Sequence, residues 1–372
     1  MRILHLGKYY PPHRGGMETV LGELAAGLAA RGVQVSVLAA GGHGDQEEPL
    51  PGGGRLVRAW TPAVCNSQPL TPTLVGLLRR EFAALDPDVL HLHLPNPLGA
   101  AACLAAGAGR GRCPVLAVWH HADITRQRLG RLLAGPVQQA CLRRAAGITV
   151  SSAAHCQRSR ELAAHRERTT VIPFGLDPAP WEGVSARGDG PFLFVGRLVR
   201  YKGLHVLLEA LREVPEARLA VVGEGPLAGS LARTAERLGV ADRVEWAGPA
   251  SQDELAARLT AARALVLPSL DESETFGLAQ LEAMAAGVPV IASDLPTGVR
   301  EVADPGRSHL MVPPGEPRAL AVALRRILAD PAQARAMGAA GRVRQRREFT
   351  REAMIDSLLA WYGGLLGGDE RT

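Results

Sequence analysis

Residues 1–40 read MRILHLGKYYPPHRGGMETVLGELAAGLAARGVQVSVLAA. Arg2–Leu6 is nearly continuous in apolar residues, as in a strand buried on both faces. Gly7–Gly16 contains Pro11, Pro12, Gly15 and Gly16 and reads as a loop. Over Met17–Arg31, apolar Val20, Leu21, Leu24, Ala25 and Leu28 recur at helical spacing. Gly32 supplies the stop, and Val33–Ala39 is a second buried strand. Strand, loop, helix and strand in that order make a right-handed crossover, which commits the chain to a parallel sheet.

The same pattern recurs outward from this unit. Val89–Leu94, Val115–Trp119 and Gly147–Val150 are further strands. The segment from Val171 to Pro180 then breaks the series with three prolines in ten residues, which no helix interior tolerates. Residues 183–191 are polar and glycine-rich. A second series follows: Phe192–Val195, Arg218–Val222, Val244–Trp246, Ala264–Leu267 and Val290–Ala292, each leading into a helical segment. The fold class is therefore α/β, with two Rossmann-like doubly wound domains. Their expected extents are 1–172 and 173–350, with a closing helix over 351–372. That helix carries Met354, Leu358, Leu359, Trp361 and Tyr362, enough apolar surface to return to the N-terminal domain. Ligands of such sheets bind outside the carboxyl ends of the strands, so the two edges are expected to face a central cleft.

Composition narrows the function classes. The 372 residues suit two domains, and 47% apolar with 21% charged residues excludes a disordered chain. No apolar run reaches the roughly 18–20 residues of a membrane span, and the N-terminus lacks signal-peptide anatomy. Five cysteines, an odd number with no C-x-x-C pair, argue against a disulfide or zinc scaffold and point to the cytoplasm. Residues 1–172 carry 19 Arg and Lys against 11 Asp and Glu, whereas the remainder carries 23 against 26. A basic first half suits an anionic partner or simply a solvated surface. Lysine is scarce: Lys8 and Lys202 stand against 40 arginines. A compact ammonium that has not become a guanidinium is worth following.

The second series carries the chemistry. Strand Phe192–Val195 ends in Gly196-Arg197, followed by Lys202-Gly203 at the mouth of the next helix. Two cations at a helix N-terminus suit a diphosphate. The turn Gly223-Glu224-Gly225-Pro226 closes the next strand. No Walker motif and no strand-to-helix Gly-x-Gly-x-x-Gly occurs, which counts against a nicotinamide-dependent oxidoreductase; nucleotide preference would separate that reading. Pro268–Ala285 holds Glu274 before a helix that starts after Gly277, and Glu282 about two turns inside it. The amides of Phe276, Gly277 and Leu278 then open the helix as donors. Carboxylates flanking helix-start amides match a ligand with hydroxyls at both ends and phosphates between them, a nucleotide sugar.

In combination and in order, these motifs resemble glycosyltransferase family 4, the retaining group 1 enzymes of GT-B fold. The resemblance runs from the first strand to the last helices and includes Ile172-Pro-Phe-Gly-Leu-Asp177, where Phe174 replaces the family's usual asparagine. It implies a nucleotide-sugar donor on the second domain and an acceptor mainly on the first. It also implies that Arg197 and Lys202 hold the diphosphate, Glu282 the ribose and Glu274 the transferred sugar. Gly223, Glu224, Phe276, Gly277 and Leu278 complete the donor site on that side, and Gly15 and Gly16 bring helix-start amides from the first domain. In His120-His121-Ala-Asp123-Ile-Thr-Arg126-Gln127 the family histidine aligns with His121, beside the anomeric centre. Successive strand residues face opposite ways, so His120 and His121 cannot both serve. His91 and His93 are expected at a strand end near the acceptor, with a metal cluster of His91, His93, His120 and His121 as the rival reading.

The expected activity is hexosyl transfer from GDP-mannose, UDP-glucose or UDP-N-acetylglucosamine by front-face substitution, with no metal or other cofactor. Expected acceptors are a glycan, a lipid-linked oligosaccharide or a small molecule, with peripheral contact to an anionic inner membrane face and none with nucleic acid. The alternative is a catalytically silent nucleotide-sugar-binding subunit of a polysaccharide assembly complex.

Overall fold

The computed structural model describes residues 1–13, 15–50, 52–65, 68–111, 113–124, 128–183 and 186–367. It divides into two units. One is Met1–Phe174 together with the segment that begins at Arg351, and the other is Gly175–Thr350.

The first unit contains strands β1 (Arg2–Leu6), β2 (Gln34–Gly42), β3 (Gln46–Pro49), β4 (Arg55–Trp60), β5 (Ala63–Cys65), β6 (Gln68–Leu70), β7 (Val89–Leu94), β8 (Val115–His120), β9 (Gly147–Val150) and β10 (Thr169–Val171). Its helices are α1 (Gly16–Ala30), α2 (Leu74–Leu85), α3 (Pro97–Ala106), α4 (Arg128–Arg144) and α5 (Ala153–Arg158). Eight strands form one sheet in the order β10-β9-β8-β7-β1-β2-β4-β3, while β5 and β6 pair separately. All neighbours in the large sheet run parallel except β3, which is antiparallel to β4 at the edge. The central strands β1 and β7 are buried almost throughout, their histidines included.

The second unit contains β11 (Phe192–Val195), β12 (Leu219–Val222), β13 (Val244–Gly248), β14 (Leu265–Leu267), β15 (Val290–Ser293) and β16 (His309–Val312). They form an all-parallel sheet in the order β13-β12-β11-β14-β15-β16. Its helices are α6 (Leu204–Arg212), α7 (Ala228–Arg237), α8 (Gln252–Ala261), α9 (Leu278–Ala285), α10 (Gly298–Val302), α11 (Pro317–Ala329) and α12 (Pro331–Glu348). The order reverses between β11 and β14, the switch point at which a doubly wound sheet presents its ligand site. The sequence motifs of the second unit lie there.

Helix α13 (Arg351–Gly367) belongs to the first unit. It lies on α1, where a Cβ at Gly27 would meet Ile355 at 2.5 Å, and on β9, where one at Gly147 would meet Trp361 at 2.8 Å. Arg351 pairs with Glu23, and Arg31 with Asp356. Tyr362, fully buried, reaches the sheet. No described helix is long and apolar enough to cross a membrane, and the five cysteines are free thiols.

Candidate functional site

The loops at the carboxyl ends of β11, β12 and β14 are held together backbone to backbone. Gly203 caps α6 with φ 69°, and a Cβ there would lie 1.9 Å from Pro268 O. Leu270 N donates to Tyr201 O at 2.8 Å. Gly223 adopts φ 131°, and its Cβ would lie 2.1 Å from Gly196 O. The glycines of the Gly223-Glu224-Gly225 turn therefore make room for the neighbouring loop, since a Cβ at Gly225 would strike the Leu198 backbone. This packing fixes where Arg197 and Lys202 stand relative to β14.

Lys202 lies across Gly196, whose Cβ would be 3.6 Å from Nζ. Its ammonium contacts Glu274 Oε2 at 2.6 Å, and Ser269 Oγ donates to the same oxygen at 2.8 Å. Lys202 and Glu274 side chains are 14% and 7% exposed, so this is a largely buried ion pair. Burial alone would lower the Lys202 ammonium; Glu274, Tyr201 and Glu282 outweigh it and leave it raised and charged. Arg197 is exposed and makes no ion pair among the described residues. Glu224 is also exposed. The pair of cations is thus split: one is held by a carboxylate, the other is available.

Gly277, with φ 74°, opens α9 at Leu278. Glu282 is consequently the fifth residue of that helix, little more than one turn inside it, not two. Phe276 is 2% exposed and meets Phe349 edge-on at 6.3 Å. Its ring anchors the helix start, and Gln280 Nε2 donates to its carbonyl at 2.6 Å.

In the first unit the adjacent histidines part as strand alternation requires. His120 contacts His155 at 2.9 Å and Glu161 at 3.1 Å. Glu161 also accepts from Ile124 N and Gln138, and Asp123 from Ser159 and Arg160 N. His120 therefore anchors the segment after β8. His121 turns the other way, with Nε2 2.9 Å from His93 Nδ1, and stacks with Trp119 and Phe174 at 5.8 and 5.6 Å. Phe174, the residue that departs from the family pattern, thus backs the histidine singled out from sequence. Arg126 and Gln127 lie outside the described residues.

Several expectations for this unit need correction. Gly15 is extended, at φ 166°, a conformation open to any residue. Its lack of a Cβ instead makes room for Glu18 Oε2, 2.2 Å from the Cβ position. Helix α1 starts at Gly16, one residue early. His91 does not face an open acceptor site: it is buried under α13, with Nδ1 2.5 Å from Tyr362 OH. The histidines also group differently from the proposed metal cluster. His5, His91 and His93 bring ring nitrogens within 4.8 Å of one another, and His120, Asp123 and His155 do likewise. In both groups the short contacts are ring nitrogens paired with each other or with Glu161. His5 was not foreseen at all; its register opposite His91 puts it there.

Comparison with known proteins finds relatives over the whole chain. Glycosyltransferase Family 4 matches residues 14–180, and glycosyl transferases group 1 matches residues 181–344. D-rhamnosyltransferase WbpZ of Pseudomonas aeruginosa is 33% identical over 364 residues, covering 94% of this chain and 92% of the relative. O-antigen chain mannosyltransferase C of Escherichia coli is 30% identical over 380 residues, covering 98% and 99%. Sucrose-phosphate synthase from Thermosynechococcus elongatus superimposes with a TM-score of 0.83 at 24% identity, covering 99% of both chains. Anabaena HepE in complex with UDP-glucose gives 0.75 at 19% identity, covering 98% of this chain and 100% of that one. These structures share the GT-B fold.

Proposed function

Because the chain belongs to the group 1, family 4 glycosyltransferases, we propose that it is a retaining, metal-independent hexosyltransferase whose donor is a nucleotide diphosphate sugar of manno configuration. The observation that carries this reading is the Lys202–Glu274 pair beside exposed Arg197 at the switch point of the second sheet. Arg197 and Lys202 neutralise the diphosphate, Glu274 accepts from hydroxyls of the transferred sugar, and Glu282 from the ribose. The amides of Phe276, Gly277 and Leu278 and the Gly223-Glu224 turn complete the donor site. Gly15, Gly16 and His121 keep the roles that the family resemblance gives them. Two relatives are named for mannose and D-rhamnose, and D-rhamnose is 6-deoxymannose, which favours GDP-mannose over UDP-glucose and UDP-N-acetylglucosamine.

Glu274 is engaged by Lys202 and Ser269, so it makes a poor nucleophile for double displacement. Front-face substitution suits these residues better. The bond from the anomeric carbon to the diphosphate oxygen breaks, the acceptor oxygen bonds from the same face, and its proton passes to the departing phosphate. Catalysis then rests on stabilising the leaving group. The acceptor is a glycan hydroxyl, free or lipid-linked. The net +8 of residues 1–172 supports a cytoplasmic enzyme that touches an anionic membrane face, to be checked by vesicle co-sedimentation. The test of the whole reading is a panel of nucleotide sugars, followed by thermal shift and slow hydrolysis, with and without chelator. GDP-mannose should stand out, chelator or not. Binding without turnover, even with acceptor glycans supplied, would favour a silent subunit, and loss of hydrolysis with chelator would end the metal-independent mechanism.

A further inference from the structure

Strands β1, β7 and β8 are neighbours in the first sheet. A common file of buried imidazoles crosses them: His5 of β1, His93 of β7 and His121, the residue that follows β8. His5 Nδ1 lies 3.0 Å from His93 Nε2, and His93 Nδ1 lies 2.9 Å from His121 Nε2. Exposure rises along the file from 0% through 1% to 5%, so His121 is its open end. Burial keeps all three rings neutral: His5 and His121 are pushed down to about 3, and His93 well below its ordinary value.

A neutral imidazole has one N–H and one lone pair. Three such rings joined nitrogen to nitrogen can be ordered in only two ways. Either every ring is protonated at Nδ1, or every ring is protonated at Nε2. The inner end decides between them. His5 Nε2 is buried and has no hydrogen-bond partner among the described residues. In the second order that end would be an orphaned buried N–H. In the first it is a bare lone pair, and orphaned buried acceptors are less rare than orphaned donors. The Trp119 and Phe174 rings stacked beside His121 offer it no competing hydrogen bond from their faces.

We propose that His93, backed by His5, holds His121 in the Nδ1–H tautomer, so that its outer nitrogen is a hydrogen-bond donor and not a base. His93 and His5 are positioning residues; His91, turned to Tyr362, is not part of the file. The proposal rests on the reading of His121 as a donor-sugar residue and deepens it. A donor-only His121 holds a sugar oxygen and leaves the acceptor's proton to the departing phosphate.

The test uses full-length protein with isotope-labelled histidine, near neutral pH and without donor. Long-range proton–nitrogen correlations distinguish the two tautomers, and loss of a signal in His121→Gln assigns the ring. The expected result is Nδ1–H at His121. In His93→Asp, whose carboxylate can only accept from His121 Nε2, that nitrogen should gain a proton, with kcat for donor hydrolysis about tenfold lower and KM nearly unchanged. His93→Asn keeps an amide donor toward His121 Nε2 and should retain Nδ1–H and the unmodified kcat. An Nε2–H or doubly protonated His121 in the unmodified protein overturns the proposal, as does a bare Nε2 persisting in His93→Asp. Should His93→Asp fail to fold, the unmodified spectrum still decides. Failure of the proposed function would register separately, as absent nucleotide-sugar binding, because the tautomer is read without ligand.

Discussion

Lys202 is valuable because Glu274 holds it in place and not merely because it is charged. Removing it leaves the Glu274 carboxylate buried with Ser269 as its remaining partner among the described residues. Lys202→Met should therefore abolish turnover and also cost about 3 kcal/mol of stability. Adding Glu274→Gln should return most of that stability in denaturant titration while turnover stays lost; a double variant as unstable as the single one would dissolve the pairing argument. The two adjacent histidines should separate in the same way. His121→Ala is expected to cut turnover most, and to lower the melting temperature as well, because it leaves a cavity beside Trp119 and Phe174 and His93 Nδ1 without its partner. His120→Ala should lower the melting temperature more and turnover less, because it strips His155 and Glu161 of a shared partner. Lys202 was legible in the sequence as one of two lysines, and Glu274 by its spacing to Glu282. Their contact was not, since loop closure at Gly203 brings them together. The file behind His121 was hidden for a related reason: it runs diagonally across β1 and β7, since His5 stands opposite His91 and His93 opposite Trp119.

At the scale of elements, the tight seat of α13 on α1 gives a sharp expectation. Gly27→Val should collide with Ile355 and cost about 2 kcal/mol. Ile355→Ala should recover part of it in the double variant, measured by chemical denaturation; simple additivity would mean that the two positions do not meet. The apolar face of α13 was readable from Leu358, Trp361 and Tyr362, and the central strands from short Leu-, Ile- and Val-rich runs interrupted only by histidine. The elements that escaped are those whose neighbours make them strands. β3 is the polar run Gln46–Pro49, paired only through β4 at the sheet edge. β10 is three residues wedged before Pro173, and β16 lies between Gly306 and Pro313. Turn residues on either side masked both.

The whole molecule divides its buried histidines unevenly. The first unit holds His5, His91, His93 and His121 neutral and His155 at about 4; the second holds His309 at about 3 and His205 lowered. Each of these rings binds its proton in the fold only at a lower pH than the ordinary 6.5 at which the unfolded chain does. The unfolded state then holds more protons, so stability is full above 6.5 and falls as pH drops, by about 1.4 kcal/mol per ring per pH unit. Hydrogen exchange during acidification should show the first unit opening at higher pH than the second; the reverse order would refute this. The same unit is also discontinuous in the chain, for residues 175–350 intervene before α13 covers His91 and Gly147. On the ribosome, the first sheet must wait while the whole second unit is synthesised, about 10–35 s at typical elongation rates. A nascent chain halted before Tyr362 therefore exposes a histidine- and tryptophan-lined surface that a holding chaperone would recognise, and the native first unit is completed only when the second has already left the exit tunnel.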